Sequence, residues 1–510
     1  MKANKFFLGL AFVGAILTAC NNDQGSVTGP DGDAYVSVKI SMASAGTRAT
    51  TDGGFAVGTS DEQAIDVDKS IFLFYDAQGK WVTSGQLSTT TVSTPNNGQD
   101  HSADINDLSA GAYIVLSGPD EDLKKSTQVL TIVNYNNINS LLQLDLNQVL
   151  AIVTDTEKDP ANAGFLMSTS VYSNGTNIVT TTAIDPETHI QQTQELALAN
   201  PVTIYIERAS AKAELAVTAT GELGTDKGIV VDGAITEVNV NVTGWTLNNV
   251  HESTYLVKQL DAAWITNAPF QGWNWADNFR SYWAKGTNWT ATNNNGNTVY
   301  TYAQATNKVG TTPVYCYENT VAAANIDTID GTTSPNVNTV LIAANFNLAG
   351  VTGTQDFFRY NGVYYTETNY KNLILKQIQD AGYKKSETED FTVADLEISS
   401  NGSLAGIQFT IKDATDEVNT FVNGLAYVTH VEGYKDGMCY YQIPVEHIAG
   451  YGMVRNHWYK IDIKSIKRIG EAVYNPNVII PDIPVETQDF YLAAEIHVLS
   501  WHVVNQTVEL

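Results

Sequence analysis

The chain has 510 residues, 43% of them hydrophobic, and a formal net charge of -27. That length can bury the cores of two or three packed domains. The charge argues against nucleic acid or an anionic membrane surface as partner and favours solubility. Thr, Val, Asn, Gly and Tyr are prominent and helical heptads are absent, which is the composition of sandwich-like β domains with polar loops.

Lys2 and Lys5 precede an apolar run from Phe6 to Leu17, the layout of an export signal. Leu17-Thr18-Ala19-Cys20 then matches a lipobox, at which a bacterial lipoprotein is cleaved and acylated on Cys20. A plain secretory signal with an incidental cysteine is the alternative. No later run is apolar enough to span a bilayer, so the expected address is outside the inner membrane. Residues 21–33 read as a polar, Gly-rich tether.

Ala34, Val36, Val38, Ile40 and Met42 alternate with Tyr, Ser, Lys and Ser, the pattern of a half-buried strand. A loop of small residues follows, 43–54, and carries Arg48. A lone Arg there is either a solvated side chain or an accessible protease site. Residues 61–205 read as a domain. Its strands are Ile71-Phe72-Leu73-Phe74-Tyr75, the return at Lys80-Trp81-Val82, and the segments 111–116 and 129–134. Leu141 to Val153 is expected to form a short helix. A strand through 202–208 leads to a domain boundary placed near 205/206.

In the second half, 235–242 and 339–346 read as strands, and Lys371 to Ala381 as a helix. Trp264, Trp273, Trp275, Tyr282, Trp283 and Trp289 lie between the two strands. Such a cluster can stack on sugars or anchor a long loop against a sheet. At the C-terminus, Phe490, Leu492, Ala494, Ile496 and Val498 alternate, then the phase slips near Ser500 and Trp501, Val503 and Val504 follow. A long strand in that position is an open edge unless something pairs with it.

Cys316 and Cys439 can form one disulfide in an oxidising compartment or remain two buried thiols. No His pair has metal-ligand spacing, and there is no nucleophile elbow, phosphate loop or dinucleotide glycine motif. The expectation is a structural or adhesive protein, not an enzyme, with no cofactor and no metal.

Several segments resemble the Bacteroidetes fimbrillin family, the subunits of type V pili, and its minor-fimbrium (Mfa) branch in particular. Val454-Arg455-Asn456-His457-Trp458-Tyr459 is similar to that family's V-R-N-x-x-Y signature. Arg208 with Ala211-Lys212, the run 315–320 and the closing 499–504 are also similar. The resemblance implies a mainly β fold of two β-sandwich-like (transthyretin-like) domains with a few short helices. It implies an outer-membrane lipoprotein precursor whose mature form is extracellular, in cell-surface fimbriae. On that pattern 1–20 is the signal, 21–48 a propeptide, 49–205 and 206–487 the two domains, and 488–510 a donor segment. An Arg-specific protease would cut between Arg48 and Ala49. The displaced strand would be Ala34, Val36, Val38, Ile40 and Met42, and the donor would present Ile496, Val498, Trp501, Val503 and Val504. The partners implied are other copies of the chain, accessory or anchor fimbrial subunits and a surface receptor. The alternative is a monomeric glycan-binding surface lipoprotein using the Trp264–Trp289 region.

Overall fold

A computed structural model describes residues 33–42, 65–86, 110–155, 164–174, 176–217, 228–260, 284–287, 297–320, 338–447, 450–481 and 492–500. The chain is mainly β, with few and short helices. The first half is built on one sheet. Its strands are β1 (Asp33–Met42), β2 (Ile71–Tyr75), β3 (Trp81–Gly85), β4 (Ala110–Ser117), β5 (Gln128–Val133), β6 (Met167–Thr169) and β7 (Val202–Arg208). They lie in the order β3-β2-β5-β6-β7-β1-β4, with Thr182–Ala183 added to β5. Every neighbouring pair is antiparallel except β1 with β7.

β2 reads as an unbroken apolar run because both its faces are covered. Ile71, Leu73 and Tyr75 join a core with Leu141, Val149 and Leu256. Phe72 and Phe74 join another with Val36, Ile114 and Ile204. That second core takes side chains from opposite ends of the strand order, so the sheet curls on itself. Gly85 marks the closure. A Cβ there would fall 2.1 Å from Ile114 Cγ2, so only glycine lets β3 approach β4 this closely. The helix expected over 141–153 is two pieces, a 3-10 turn at Ile138–Leu141 and a helix at Leu146–Leu150. Gln143 sits at φ 63, which breaks the first, and Asp145 begins the second in a capping box with Gln148.

The second half is a sandwich. One sheet has the order β12-β8-β20-β22, from β8 (Ser210–Val217), β12 (Val314–Tyr317), β20 (His457–Ile466) and β22 (Leu492–Ser500). The facing sheet is β11-β13-β19-β21, from β11 (Val238–Asn248), β13 (Thr339–Leu348), β19 (Met438–Pro444) and β21 (Glu471–Ala472). Leu215, Tyr459, Ile461 and Ile463 meet Trp245, Leu247, Ile342 and Ile443 between them. A third sheet lies at the β13–β19 end, ordered β10-β9-β15-β14-β18. It is made of β9 (Ile229–Val231), β10 (Ala234–Thr236), β14 (Phe357–Tyr360), β15 (Val363–Thr366) and β18 (Glu432–Tyr434). Phe357 turns inward and stacks on Phe346 at 4.6 Å, whereas Phe358 turns outward onto Tyr370 at 4.5 Å. The outward face is covered by α1 (Glu367–Asp380), the hairpin β16 (Leu396–Ser400) and β17 (Ile407–Ile411), and α2 (Asp416–Asn423), which share a separate core. Tyr370, Ile374 and Ile378 supply the buried face of α1 at four-residue spacing.

The strand expected over 235–242 divides at Glu237 between two sheets. Ile235, at 77% exposure, lies in a surface hairpin, and Val238 begins the sandwich. Cys316 and Cys439 are buried thiols not joined to each other. Cys316 Sγ lies 3.4 Å from Met453 Sδ, and burial pushes the Cys439 thiol up to about 12. A thiol reagent is therefore expected to leave the native Cys20→Ser protein untouched at pH 8 and to react with both Cys316 and Cys439 in denaturant. An oxidised pair under denaturing conditions contradicts this arrangement.

Candidate assembly site

β1 is the first described element, yet it is an interior strand. Asp33–Ile40 face Ser117–Ala110 of β4, and Val38–Met42 run beside Val202–Ile206 of β7. Before β7 begins, Tyr35 and Gln191 exchange backbone bonds of 2.6 and 2.9 Å. Ala34, Val36 and Val38 are buried in the curled core, as the alternation predicts. Ser37, on the opposite face, is buried as well. The side chains of Ile40 and Met42 lie outside the described residues. Two strand spacings, about 10 Å, separate the flanking strands, so an empty place there leaves two unpaired edges. Each buried valine contributes roughly 1.5–3 kcal/mol and each ladder bond about 1 kcal/mol net, so any occupant needs the same alternation.

Among the described residues β22 is an edge strand, laddered along its length to β20. Tyr459 lies opposite Val498, Ile461 opposite Ile496 and Ile463 opposite Ala494. Ile496 and Val498, expected in the donor strand, are thus paired within their own sheet in this state. The irregularity in this ladder falls between Ile463 and Ser465, well before Ser500. Trp501, Val503 and Val504 lie outside the described residues, as do Cys20, Arg48, Ala49 and the Trp264, Trp273, Trp275, Tyr282, Trp283 and Trp289 cluster.

One residue, Ala209, separates β7 in the first sheet from β8 in the second. β8 runs parallel to β20, which carries the V-R-N-x-x-Y segment. Arg455 is fully buried. Its Nε donates to Glu318 Oε1 at 2.9 Å, and its Nη2 donates to the same carboxylate, to Thr254 Oγ1 (2.8 Å) and to the Tyr255 carbonyl (2.7 Å). Asn456 adopts φ 59, accepts from the Arg208 amide and Nη1 at 3.3 Å each, and donates its amide to the Ser210 carbonyl at 2.8 Å. The Tyr459 hydroxyl accepts the Val454 amide at 2.8 Å and lies 3.0 Å from His447 Nδ1.

Beside them, Lys258 Nζ and Glu207 Oε2 form a wholly buried pair at 3.2 Å, and the Val171 amide donates to the other Glu207 oxygen at 3.1 Å. Burial pulls the Lys258 pKa down, opposed by Glu207. Lys258 belongs to an arm of the second half. Thr254–Tyr255 pairs with Val153–Thr154, and Leu256, Val257 and Leu260 enter the core beneath β2. In return, Trp458 packs against the curled core of the first half, with Lys212 Nζ 3.8 Å from its ring centroid. Within the signature, Asn456 and Trp458 therefore reach the first half directly, and Arg455 holds the arm that enters it. Sequence reasoning did not single out Glu207 or Lys258 and reached Glu318 only as part of the run 315–320, and no spacing pairs them.

Residues 432–507 match the family model described as "Major fimbrial subunit protein type IV, Fimbrillin, C-terminal". The C-terminal region is similar to the C-terminal part of a fimbrillin. The fimbrillin span runs from β18 through β22 and contains Arg455, Asn456 and Tyr459. No curated protein matches the chain. Among solved structures, the chain is similar to one named "putative cell adhesion protein" from Parabacteroides distasonis, at 12% identity and TM-score 0.35, covering 92% of this chain and 98% of that one. It is also similar to the tip fimbrial protein Mfa3 from Porphyromonas gingivalis with C-terminal truncation, at 13% identity and TM-score 0.32, covering 92% and 100%. A fimbrillin is a fimbrial subunit, a structural protein of the cell surface that assembles with other such subunits. Among the described residues, no group of three or more His, Cys, Asp or Glu could hold a metal ion, and no helix is long and apolar enough to cross a membrane.

Proposed function

We propose that this chain is a structural and adhesive subunit of a type V fimbria, exported as an outer-membrane lipoprotein acylated on Cys20. It is cut after Arg48 by an Arg-specific protease. It then polymerises when the C-terminal segment of another copy, or of an accessory or anchor subunit, replaces β1. The observation that carries this reading is the place of β1. It is interior in the sheet, yet joined to the rest of its domain only through 43–64, the stretch that contains Arg48. While the tether is intact, β1 competes at an effective concentration of about millimolar, and an incoming strand loses. After the cut β1 is a free peptide, and strand addition becomes a contest between equals.

The test is incubation of purified precursor with an Arg-specific protease, read as SDS-resistant, heat-labile ladders on a gel. Ladders are expected from the wild type and not from Arg48→Ala, and an excess of synthetic peptide 33–42 is expected to suppress them. Ladders that form equally with Arg48→Ala, or that ignore the peptide, overturn the reading.

A further inference from the structure

We infer that the strand entering the β1 place is the proximal part of the C-terminal segment, with Ala494, Ile496 and Val498 of a second copy in the positions of Ala34, Val36 and Val38. This deepens the exchange reading above and rests on it. The argument begins with what the place demands. Ala34, Val36 and Val38 are 3%, 1% and 0% exposed, within one close-packed core that includes Ile114, Leu116 and Ile204. A side chain longer than alanine at the first position overfills that core, and a polar one at any of the three is buried without a partner. The required pattern is thus one methyl followed, at alternate residues, by two medium aliphatic groups.

Across 488–510, one phase meets it. Ala494, Ile496 and Val498 reproduce Ala34, Val36 and Val38 at the same spacing with one added methylene, and run in the same chain direction. The rival Leu492-Ala494-Ile496 is wholly apolar but inverts the sizes, putting leucine where alanine sits. Phe490 or Trp501 in the first place brings a ring into a methyl-sized space. Starting at Val503 buries Asn505, and starting at His502 or Val504 buries Gln506. The distal residues that attract attention by hydrophobicity are therefore the wrong shape for this site.

The topology agrees. The incoming strand takes β1's polarity, parallel to β7 and antiparallel to β4. Among the described residues its source, β22, is laddered along one edge, to β20, the ladder that release has to open. The register opposes Ile496 to Ile114, because Val36 does so now. On the other face His497 replaces the buried Ser37 and Glu495 replaces Tyr35, and beyond the three matched positions Ser500 and His502 follow where β1 has Ile40 and Met42. His497→Ser is accordingly expected to speed assembly.

The experiment uses full-length precursor activated by an Arg-specific protease. Truncation after Ser500 is expected to leave ladder formation within about twofold of wild type, and Ala494→Leu to slow it at least tenfold. Trp501→Ala is expected to have little effect. A combination of Ile114→Cys with Ile496→Cys is expected to yield disulfides between copies in the polymer, and Ile114→Cys with Val504→Cys none. The cysteine pairs do not depend on how well Ala494→Leu folds, and the melting temperature of each uncut variant serves as control. Ladders lost on truncation after Ser500, or disulfides from Val504 instead of Ile496, overturn this register while leaving exchange itself intact. Absence of protease-dependent ladders from the wild type overturns the exchange reading and the register with it.

Discussion

Replacing Arg455 with alanine is expected to lower the free energy of unfolding by about 3–5 kcal/mol. The guanidinium is fully buried and satisfies a carboxylate, a hydroxyl and a carbonyl at once. Alanine leaves the Glu318 carboxylate in the same dry place with no counter-charge, and that uncompensated ion is the larger part of the cost. Lysine restores a charge but not the fork of donors, so Arg455→Lys should recover only part of the loss. Arg455→Met combined with Glu318→Leu removes both charges and is expected to recover most of it, because apolar groups of similar volume often match a buried pair. Urea denaturation of the four proteins reads this directly. A loss below about 1 kcal/mol for Arg455→Ala would falsify the view that this pair holds the V-R-N-x-x-Y segment to the Thr254–Tyr255 arm.

Acid is expected to destabilise the protein through His457. Its Nδ1 donates to the Arg455 carbonyl at 2.7 Å, and its ring stands edge-on to His447 with centroids 4.7 Å apart. Burial, with a further contribution from the Lys258 charge, pulls its pKa down to about 4, while the bond to the carbonyl opposes the shift. An unfolded histidine titrates near 6.5. Between those values the unfolded chain binds the proton and the folded one does not. The contribution is therefore complete above about pH 6.5, declines as the pH falls, and is gone below about pH 4. At about 1.4 kcal/mol per unit the whole step is about 3 kcal/mol. His457→Gln should flatten this part of the curve, so the quantity to measure is the difference between wild-type and variant unfolding free energies from pH 7 to pH 4. Parallel curves would assign the acid sensitivity elsewhere.

The parts of this fold that were legible in the sequence are those whose cause is local. The alternation of β1 reports one buried face, the unbroken run of β2 reports two, and the spacing of Tyr370, Ile374 and Ile378 reports a helix lying on a core. The importance of the Val454–Tyr459 segment was also visible, but only as a resemblance. Its meaning was not, because Arg455 finds its partners at Thr254, Tyr255 and Glu318, far off in sequence. Strand order was hidden for the same reason. Nothing within residues 33–42 says that they lie between β4 and β7, since ladder partners are chosen by the closure of the whole sheet. The layer over the third sheet was missed beyond α1, because β16, β17 and α2 are short elements whose apolar residues make sense only against one another. At Glu237 the period-two pattern continues across a break between two sheets, so periodicity alone overstated the strand.

The single-residue passage at Ala209 has a mechanical consequence. Its amide donates to the Leu166 carbonyl at 2.8 Å, and the carbonyl of the next residue, Ser210, is bonded to the Asn456 amide. A hinge needs backbone torsions that are free to turn, and these are tied on both sides. Tension entering along β7 continues into β8 through covalent bonds in an extended line, with no slack loop to lengthen first. It is then shared sideways with β20 by a parallel ladder loaded in shear, where many bonds must yield together instead of one after another. The passage at Ala209 is thus a poor place for a hinge, and bending there has to break these bonds first.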